Sequence, residues 1–123
     1  MKYEDLRSEP VSTLVKYFLK ISLAQDEAEI DGAIALYNRL FAIRTAIVEE
    51  LRLRPGDQRR QLITLFDHSN LRVRLYAALE TLVVAPVESR QILQQIHAWR
   101  LTPYCAEAAS ILKGLDDGSF VPT

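Results

Sequence analysis

The chain has 123 residues, 49% of them hydrophobic, and a formal net charge of -1. This length suits one domain with its own hydrophobic core, so we expect a single domain over residues 1–123. The near-neutral charge is not typical of a strongly basic nucleic-acid-binding protein. Cys105 is the single cysteine, which excludes an internal disulfide and predicts a reducing compartment, the cytoplasm.

The sequence predicts neither a secretory signal nor a membrane span. Its opening segment, MKYEDLRSE, is charged and lacks the apolar stretch of a signal peptide. The longest apolar run, LVVAPV at 82–87, is far shorter than the roughly 18 residues that a span requires. We therefore expect no membrane association.

Apolar residues recur at helical spacing almost throughout, which predicts an all-α fold. The first helix is predicted from about Glu9 to Leu23, capped by Ser8, and is followed by an exposed acidic turn at 26–31. The second is predicted from about Gly32 to Leu53. We expect its apolar half to enter the core: Leu36, Leu40, Ile43, Ile47 and Leu51, flanked by Ile34, Tyr37, Phe41 and Val48.

A turn at 54–57, RPGD, precedes a third helix that Asp57 is predicted to cap and that runs to about Phe66. The next segment, HSNLRVRLYAALETLVVAP at 68–86, predicts a helix with Asn70 as its cap and apolar residues on two opposite faces. Two apolar faces indicate two neighbouring helices. We expect Arg72 and Tyr76, one turn apart between those faces, to point outwards.

Pro86 is predicted to begin a fifth helix, and Thr102 with Pro103 a sixth. Residues 56–66 align with 87–97 at an offset of 31, and the helices that follow align after a shift of one. Tandem helix hairpins of this period predict a short α-solenoid of three antiparallel hairpins, with six helices.

The repeat itself resembles a known pattern. HSNLRVRLYAALETL is similar to the second helix of a HEAT or phycobilin-lyase-type repeat, through Asn70, Val73, Arg74, Ala77, Ala78 and Leu82. The wider pattern, LAQDEAEIDGAIALYNRLF, that repeat and a closing LKGLDDGSF, is similar to a family of small bacterial proteins described only as a domain of unknown function. The resemblance implies a helical-repeat fold and a bacterial source, and it implies no activity.

The chain carries no recognisable motif for metal binding or catalysis. His68, His97 and Cys105 lack the CxxC, HxxxH or ExxH spacing of a metal site, and no serine lies in a GxSxG elbow. Glu49 and Glu50 point about 100° apart on a helix, which does not suit an acid–base pair. We therefore expect a non-enzymatic protein without metal or cofactor.

A solenoid binds partners through the surface formed by its successive second helices. Arginine and tyrosine are common at interface hot spots, so the predicted site for an unidentified protein partner comprises Asn38, Arg39, Arg72, Arg74, Tyr76 and Tyr104. An adaptor or a toxin-neutralising binder would fit this description. For Arg74, a structural role is also open, as a hydrogen-bond donor to a carboxylate or carbonyl of the adjacent hairpin.

The alternative function is binding to a nucleic-acid backbone. Six arginines lie from Arg52 to Arg74 against two acidic residues, and they could contact phosphates. The oligomeric state is open, because Tyr3, Trp99 and Phe120 could pack internally or cover the end of the stack against a second copy. Internal packing is favoured for Trp99.

Overall fold

The computed structural model describes residues 3–123, so the first two residues of the charged N-terminal segment lie outside it. No β-strand occurs in this range, and the all-α prediction is confirmed. The chain divides after Gln61 into two compact units. The described helices are α1 (Val11–Ile30), α2 (Ile34–Leu53), α3 (Leu71–Glu80), α4 (Pro86–Trp99) and α5 (Tyr104–Asp117), with 3-10 helices at Leu6–Ser8 and Gln58–Leu65.

In the first unit, α1 and α2 pack along each other as a hairpin joined by residues 31–33. Gly32 adopts φ +69°, a left-handed conformation that glycine accepts without strain. The Ala33 N–H then donates to the Ala28 carbonyl at 2.8 Å, which closes α1. The α1 face towards the core buries Leu14 and Phe18 completely.

α1 is longer than predicted at its C-terminal end. It continues past Leu23 to Ile30, because Gln25, Asp26 and Ala28 lie on its buried face. The acidic segment 26–31 is therefore the last turn of a helix with its cap, and the prediction of an exposed acidic turn is wrong.

The predicted cap at the other end of α1 is also wrong. The helix begins at Val11 with Pro10 as its N-cap, and both Thr13 and Leu14 donate backbone N–H groups to the Pro10 carbonyl. The Ser8 hydroxyl donates instead to the Asp5 carbonyl at 3.0 Å. Ser8 therefore stabilises the short 3-10 helix and not α1.

Arg54, just beyond the end of α2, joins this N-terminal segment to the rest of the first unit. Its Nη2 donates to the carbonyls of Leu6 at 3.1 Å and Glu9 at 2.7 Å. Its Nε donates to Glu50 at 2.6 Å. The Arg54 guanidinium group thus binds carbonyl groups that lie 48 and 45 residues earlier in the sequence.

The third predicted helix is a 3-10 helix, Gln58–Leu65, and not an α-helix. It buries Leu62 and Leu65, whereas Phe66, directly after it, is half-buried. Asp57 precedes it at φ +51° and accepts from the Arg59 side chain at 2.9 and 2.7 Å and from its backbone N–H at 3.3 Å.

In the second unit, α4 packs against both α3 and α5, and α3 also contacts α5. Asn70 caps α3 as predicted, accepting from the Val73 N–H at 3.1 Å. α3 ends at Glu80, earlier than predicted. The buried Thr81 hydroxyl there hydrogen-bonds the Ala77 carbonyl and the Ser89 hydroxyl, each at 2.7 Å.

The chain folds back at the end of α5. Gly118, at φ +78°, terminates the helix, and the Phe120 N–H donates to the Gly114 carbonyl at 3.0 Å. A Cβ placed on Gly114 would lie 2.9 Å from the Phe120 Cβ. The glycine therefore lets the C-terminal segment pack directly on the α5 backbone.

The remaining helix boundaries follow the prediction closely. Pro86 is the first residue of α4, as predicted. α5 begins at Tyr104, one residue later than predicted, and its N-cap is Pro103 without a side-chain cap, so the prediction that Thr102 caps this helix is wrong. None of the helices in the described range has the length and apolar composition needed to traverse a bilayer.

Candidate functional site

Arg72 lies in the first turn of α3 and is completely buried, with 0% relative exposure. Its guanidinium carbon lies 5.1 Å from the ring centroid of Tyr76 and 4.9 Å from that of Tyr104. Its Nη1 donates to Glu107 Oε2 at 2.5 Å and to the Tyr76 hydroxyl at 3.4 Å. The four side chains form what we call the Arg72 cluster.

The prediction that Arg72 and Tyr76 point outwards is wrong, because Tyr76 is also buried. The margin between the two apolar faces of α3 is not open to water, since α5 contributes Tyr104 and Glu107 next to it. Burial of an arginine requires a paired counter-charge. Glu107 supplies it, so the Arg72 cluster stabilises the unit and presents no arginine to a partner.

Arg74, one turn from the start of α3, is half-buried. Its Nε donates to the backbone carbonyl of His68, in the turn that leads into α3. Its guanidinium carbon lies 5.3 Å from the ring centroid of Trp99. Arg74 therefore donates to a carbonyl, as the structural alternative predicted. That carbonyl lies in the turn before α3 and not in an adjacent hairpin.

Trp99 is the last residue of α4, next to the join with α5, and it is 46% exposed. Internal packing was favoured for it, and the structure shows a ring that is half covered. Tyr3, by contrast, packs edge-on against Tyr17 with ring centroids 5.0 Å apart. Burial and the neighbouring Tyr17 phenol raise the pKa of Tyr3.

Asn38 and Arg39 are exposed on α2, within the first unit, whereas the four other predicted site residues belong to the second unit. Tyr104 is half-buried in the Arg72 cluster. The structure therefore brings Arg72, Tyr76 and Tyr104 together. Of the six predicted residues, Asn38 and Arg39 are the exposed ones.

α2 exposes apolar side chains that were expected in the core. Ile34 is 74% exposed and Phe41 49% exposed, and Asn38 lies between them on the same helical face. A cleft of about 300 Å³ adjoins Ile34 and is lined by Ala28, Glu29, Gly32, Ile34 and Tyr37. We call Ile34, Asn38, Phe41 and this cleft the α2 surface.

Most arginines from Arg52 to Arg74 are engaged within the chain. Arg52 pairs with Glu49 at 2.6 Å, which lowers the pKa of Glu49 and raises that of Arg52. The remaining members are paired as already described, except Arg60, which is exposed and forms no ion pair or side-chain hydrogen bond within residues 3–123.

The side chains considered for chemistry are separate from one another. Glu49 and Glu50 bind different arginines, Arg52 and Arg54, as their angular separation predicted. His68 Nδ1 accepts from the Asn70 N–H at 3.0 Å. Across the described chain, no three His, Cys, Asp or Glu side chains gather closely enough to hold a metal ion.

Sequence reasoning missed Glu107 as the partner of Arg72 and missed the contact of Trp99 with Arg74. A signal for Glu107 existed, because it is the only carboxylate between Glu88 and Asp116 and a buried arginine needs one. Trp99 offered a weaker signal, as the only tryptophan in the chain and directly before a connecting segment.

The chain resembles known proteins along nearly its whole length. The crystal structure of the protein RPA1889 from Rhodopseudomonas palustris CGA009 superposes with a TM-score of 0.94 at 41% sequence identity, covering 97% of this chain and 98% of that one. No curated protein matches the sequence significantly. The family described as a domain of unknown function (DUF2019) matches residues 12–116. The chain therefore belongs to the DUF2019 family.

Proposed function

We propose that this protein is a non-enzymatic protein–protein interaction module that binds its partner through the α2 surface. The exposed apolar side chains of Ile34 and Phe41 carry the proposal. Apolar patches on a folded protein commonly mark contact sites, because covering them releases ordered water. The cleft next to Ile34 offers a recess for a partner side chain.

The polar residues of the α2 surface suit the rim of an interface. Asn38 lies between the two apolar side chains, and Arg39 follows it on the helix, exposed to solvent. Interfaces typically surround an apolar centre with polar groups of this kind. The expectation that Arg72 and Tyr76 belong to the binding surface is withdrawn from the proposal, because both are buried.

For the architecture we propose a short HEAT-like solenoid. The α1–α2 and α4–α5 pairs, each joined by a short connection, are the hairpin units that such a stack requires. In chain order, the 3-10 helix Gln58–Leu65 and α3 follow α2 and would form the third pair. An adaptor or a toxin-neutralising binder would use this scaffold in the same way.

Affinity capture with two matched variants tests the function. The purified chain is immobilised, and proteins from a lysate of its own organism are recovered with the wild type, with Ile34→Ser/Phe41→Ser and with Val87→Ser/Val121→Ser. The control pair removes comparably exposed apolar groups, 63% and 72% exposed, from the second unit. We expect a partner that the wild type and the control retain and that the α2 variant loses.

Equal recovery by all three proteins would contradict the proposal, provided that circular dichroism shows each variant folded. Light scattering of the purified chain identifies the remaining case, in which a second copy occupies the α2 surface. A dimer that Ile34→Ser/Phe41→Ser converts to a monomer would show that case.

The alternative proposal is binding to a nucleic-acid backbone through Arg52 to Arg74. Pairing of these arginines with Glu49, Glu50, Asp57 and Glu107 reduces the charge left for phosphates. Titration with random duplex and single strands at low salt discriminates the two functions, because phosphate contacts weaken steeply as salt rises. Salt-sensitive binding at micromolar protein would favour the nucleic-acid function.

A further inference from the structure

A second exposed apolar site lies in the second unit, where α4 ends. Trp99 is 46% exposed and Leu101 54% exposed, and Arg100 between them has a left-handed backbone at φ +56°. The reversal of the chain at Arg100 ends the helix and leaves both apolar side chains partly in water. The Trp99 indole N–H has no acceptor among the described residues.

The surroundings of these apolar side chains are basic. Arg74 lies over the Trp99 ring at 5.3 Å, and Arg100 is exposed, with no ion pair or side-chain hydrogen bond within residues 3–123. The sequence contains no acidic residue between Glu88 and Glu107. The turn that leads into α3 contains one exposed carboxylate, that of Asp67. It directly precedes His68, whose carbonyl accepts from Arg74.

We propose that these four residues, Arg74, Trp99, Arg100 and Leu101, bind an acidic amphipathic segment of a partner protein. We call them the Trp99 surface. An apolar side chain of the segment would pack on the indole and on Leu101, and its carboxylates would accept hydrogen bonds from the two arginines and the indole N–H. Tryptophan and arginine, together with tyrosine, are enriched at interface hot spots.

Charge and composition both favour this occupant. Positive groups around an apolar centre attract a negatively charged partner and set its orientation. A single-stranded nucleic acid would use the aromatic ring for stacking, but it needs a row of such rings along a basic groove, and Trp99 is the only aromatic residue of the surface. The apolar Leu101 would gain nothing from a phosphate backbone.

The chain supplies its own reporter for the test, since Trp99 is its single tryptophan. Tryptophan emission is followed while the purified protein is titrated with three probes: a synthetic helix-forming peptide of leucine and glutamate, the same peptide with lysine in place of glutamate, and a random single-stranded oligonucleotide. We expect a saturable blue shift with the glutamate peptide alone, because binding removes water from the indole.

Two variants locate the interaction. Arg100→Glu should weaken binding of the glutamate peptide by about tenfold or more, as expected for loss of a hot-spot contact. Arg60→Glu makes the same change of charge at an exposed arginine of the first unit and should leave binding within about twofold, since only long-range electrostatics changes. Ile34→Ser/Phe41→Ser should also retain binding, which separates this proposal from the function of the α2 surface.

Three results would overturn the proposal. The first is no spectral response to the glutamate peptide. The second is an equal or larger response to the lysine peptide or to the oligonucleotide. The third is equal weakening by Arg100→Glu and Arg60→Glu, which would indicate attraction by overall charge and not by the Trp99 surface.

Discussion

The two units differ in the hydrogen bonding of certain buried polar side chains. In the second unit, the buried Arg72 is paired with Glu107, and the buried hydroxyls of Thr81 and Ser89 bond each other. In the first unit, the Ser22 hydroxyl and both amide atoms of Gln25 are buried on α1 and find no partner among the described residues. Because an unsatisfied buried polar group costs free energy, we infer that polar contacts stabilise the second unit and that buried polar groups weaken the first.

The surfaces of the two units are alike in one respect, because both expose apolar side chains, such as Ile34 in the first unit and Leu101 in the second. The first unit exposes Ile34 and Phe41 on α2, so part of its apolar surface remains in water. A partner that covers Ile34 and Phe41 would add directly to the stability of the folded first unit, because it binds the folded state alone. Substitutions at the buried polar groups test the contrast in hydrogen bonding between the units.

The largest effect is expected at the Arg72 cluster. Arg72→Leu should lower the free energy of unfolding by about 3 kcal/mol, because it removes the partner of Glu107 and the group between two tyrosine rings. Urea unfolding followed by circular dichroism measures this loss. The double variant Arg72→Leu/Glu107→Gln should recover part of it, since no lone charge remains. A loss below about 1 kcal/mol would contradict a stabilising role.

A smaller loss is expected for the hydroxyl pair between the end of α3 and α4. Ser89→Ala should lower the unfolding free energy by about 1–2 kcal/mol, because the Thr81 hydroxyl loses its buried partner. Ser110→Ala, at an exposed position of α5, is the control and should change stability by less than about 0.5 kcal/mol. Equal effects of the two substitutions would show that the buried hydrogen bond contributes nothing specific.

In the first unit, replacing a buried polar side chain should raise the free energy of unfolding and not lower it. Gln25→Met keeps the length of the side chain and removes an amide whose polar atoms are buried without partners, so it should raise the unfolding free energy by about 1 kcal/mol. Gln94→Met, exposed on α4, controls for added hydrophobicity. Destabilisation by Gln25→Met would mean that the amide is satisfied in solution, and the contrast between the units would then fail.

The smallest effect concerns Asp57 in the first unit. The hydrogen bond from the Arg59 side chain lowers the pKa of Asp57 in the folded state. Its stabilisation is therefore present above the unfolded-state pKa of about 4 and is lost as the pH falls through the lowered folded pKa. Asp57→Asn, which tolerates the same left-handed backbone, should cost up to about 1 kcal/mol at neutral pH.

Urea unfolding of the wild type and Asp57→Asn as a function of pH checks this expectation. The difference between the two proteins should shrink towards zero in strong acid. A difference that stays constant with pH would assign the effect to backbone geometry and not to the ion pair.

Local features of the fold were predictable from the sequence because their causes lie within a few residues. The Asn70 cap needs only the backbone N–H three residues later, and Pro86 fits the first helical turn wherever the helix packs. The 3-10 geometry of Gln58–Leu65 was not predictable, since its apolar spacing suits either helix type. The C-terminal end of α1 was predicted too early, because the acidic composition of residues 26–31 suggested an exposed turn although Asp26 and Ala28 are buried.

The candidate site was less predictable, because its causes are distant in sequence. Burial of Arg72 depends on Glu107, which is 35 residues away, and nothing local to Arg72 shows that a counter-charge will arrive. The exposure of Ile34 and Phe41 has a different origin. Helical spacing of apolar residues defines a face of the helix, and that spacing is the same whether the face enters the core or stays exposed to solvent.

Because Gly114 contacts Phe120, the effect of Gly114→Ala on stability should depend on whether the C-terminal segment is present. In the full chain, Gly114→Ala forces the two Cβ atoms to within 2.9 Å and should destabilise the protein. A chain truncated after Gly118 lacks Phe120, so nothing there opposes a Cβ at position 114. The alanine should then stabilise α5 by about 1 kcal/mol, its intrinsic helical advantage over glycine.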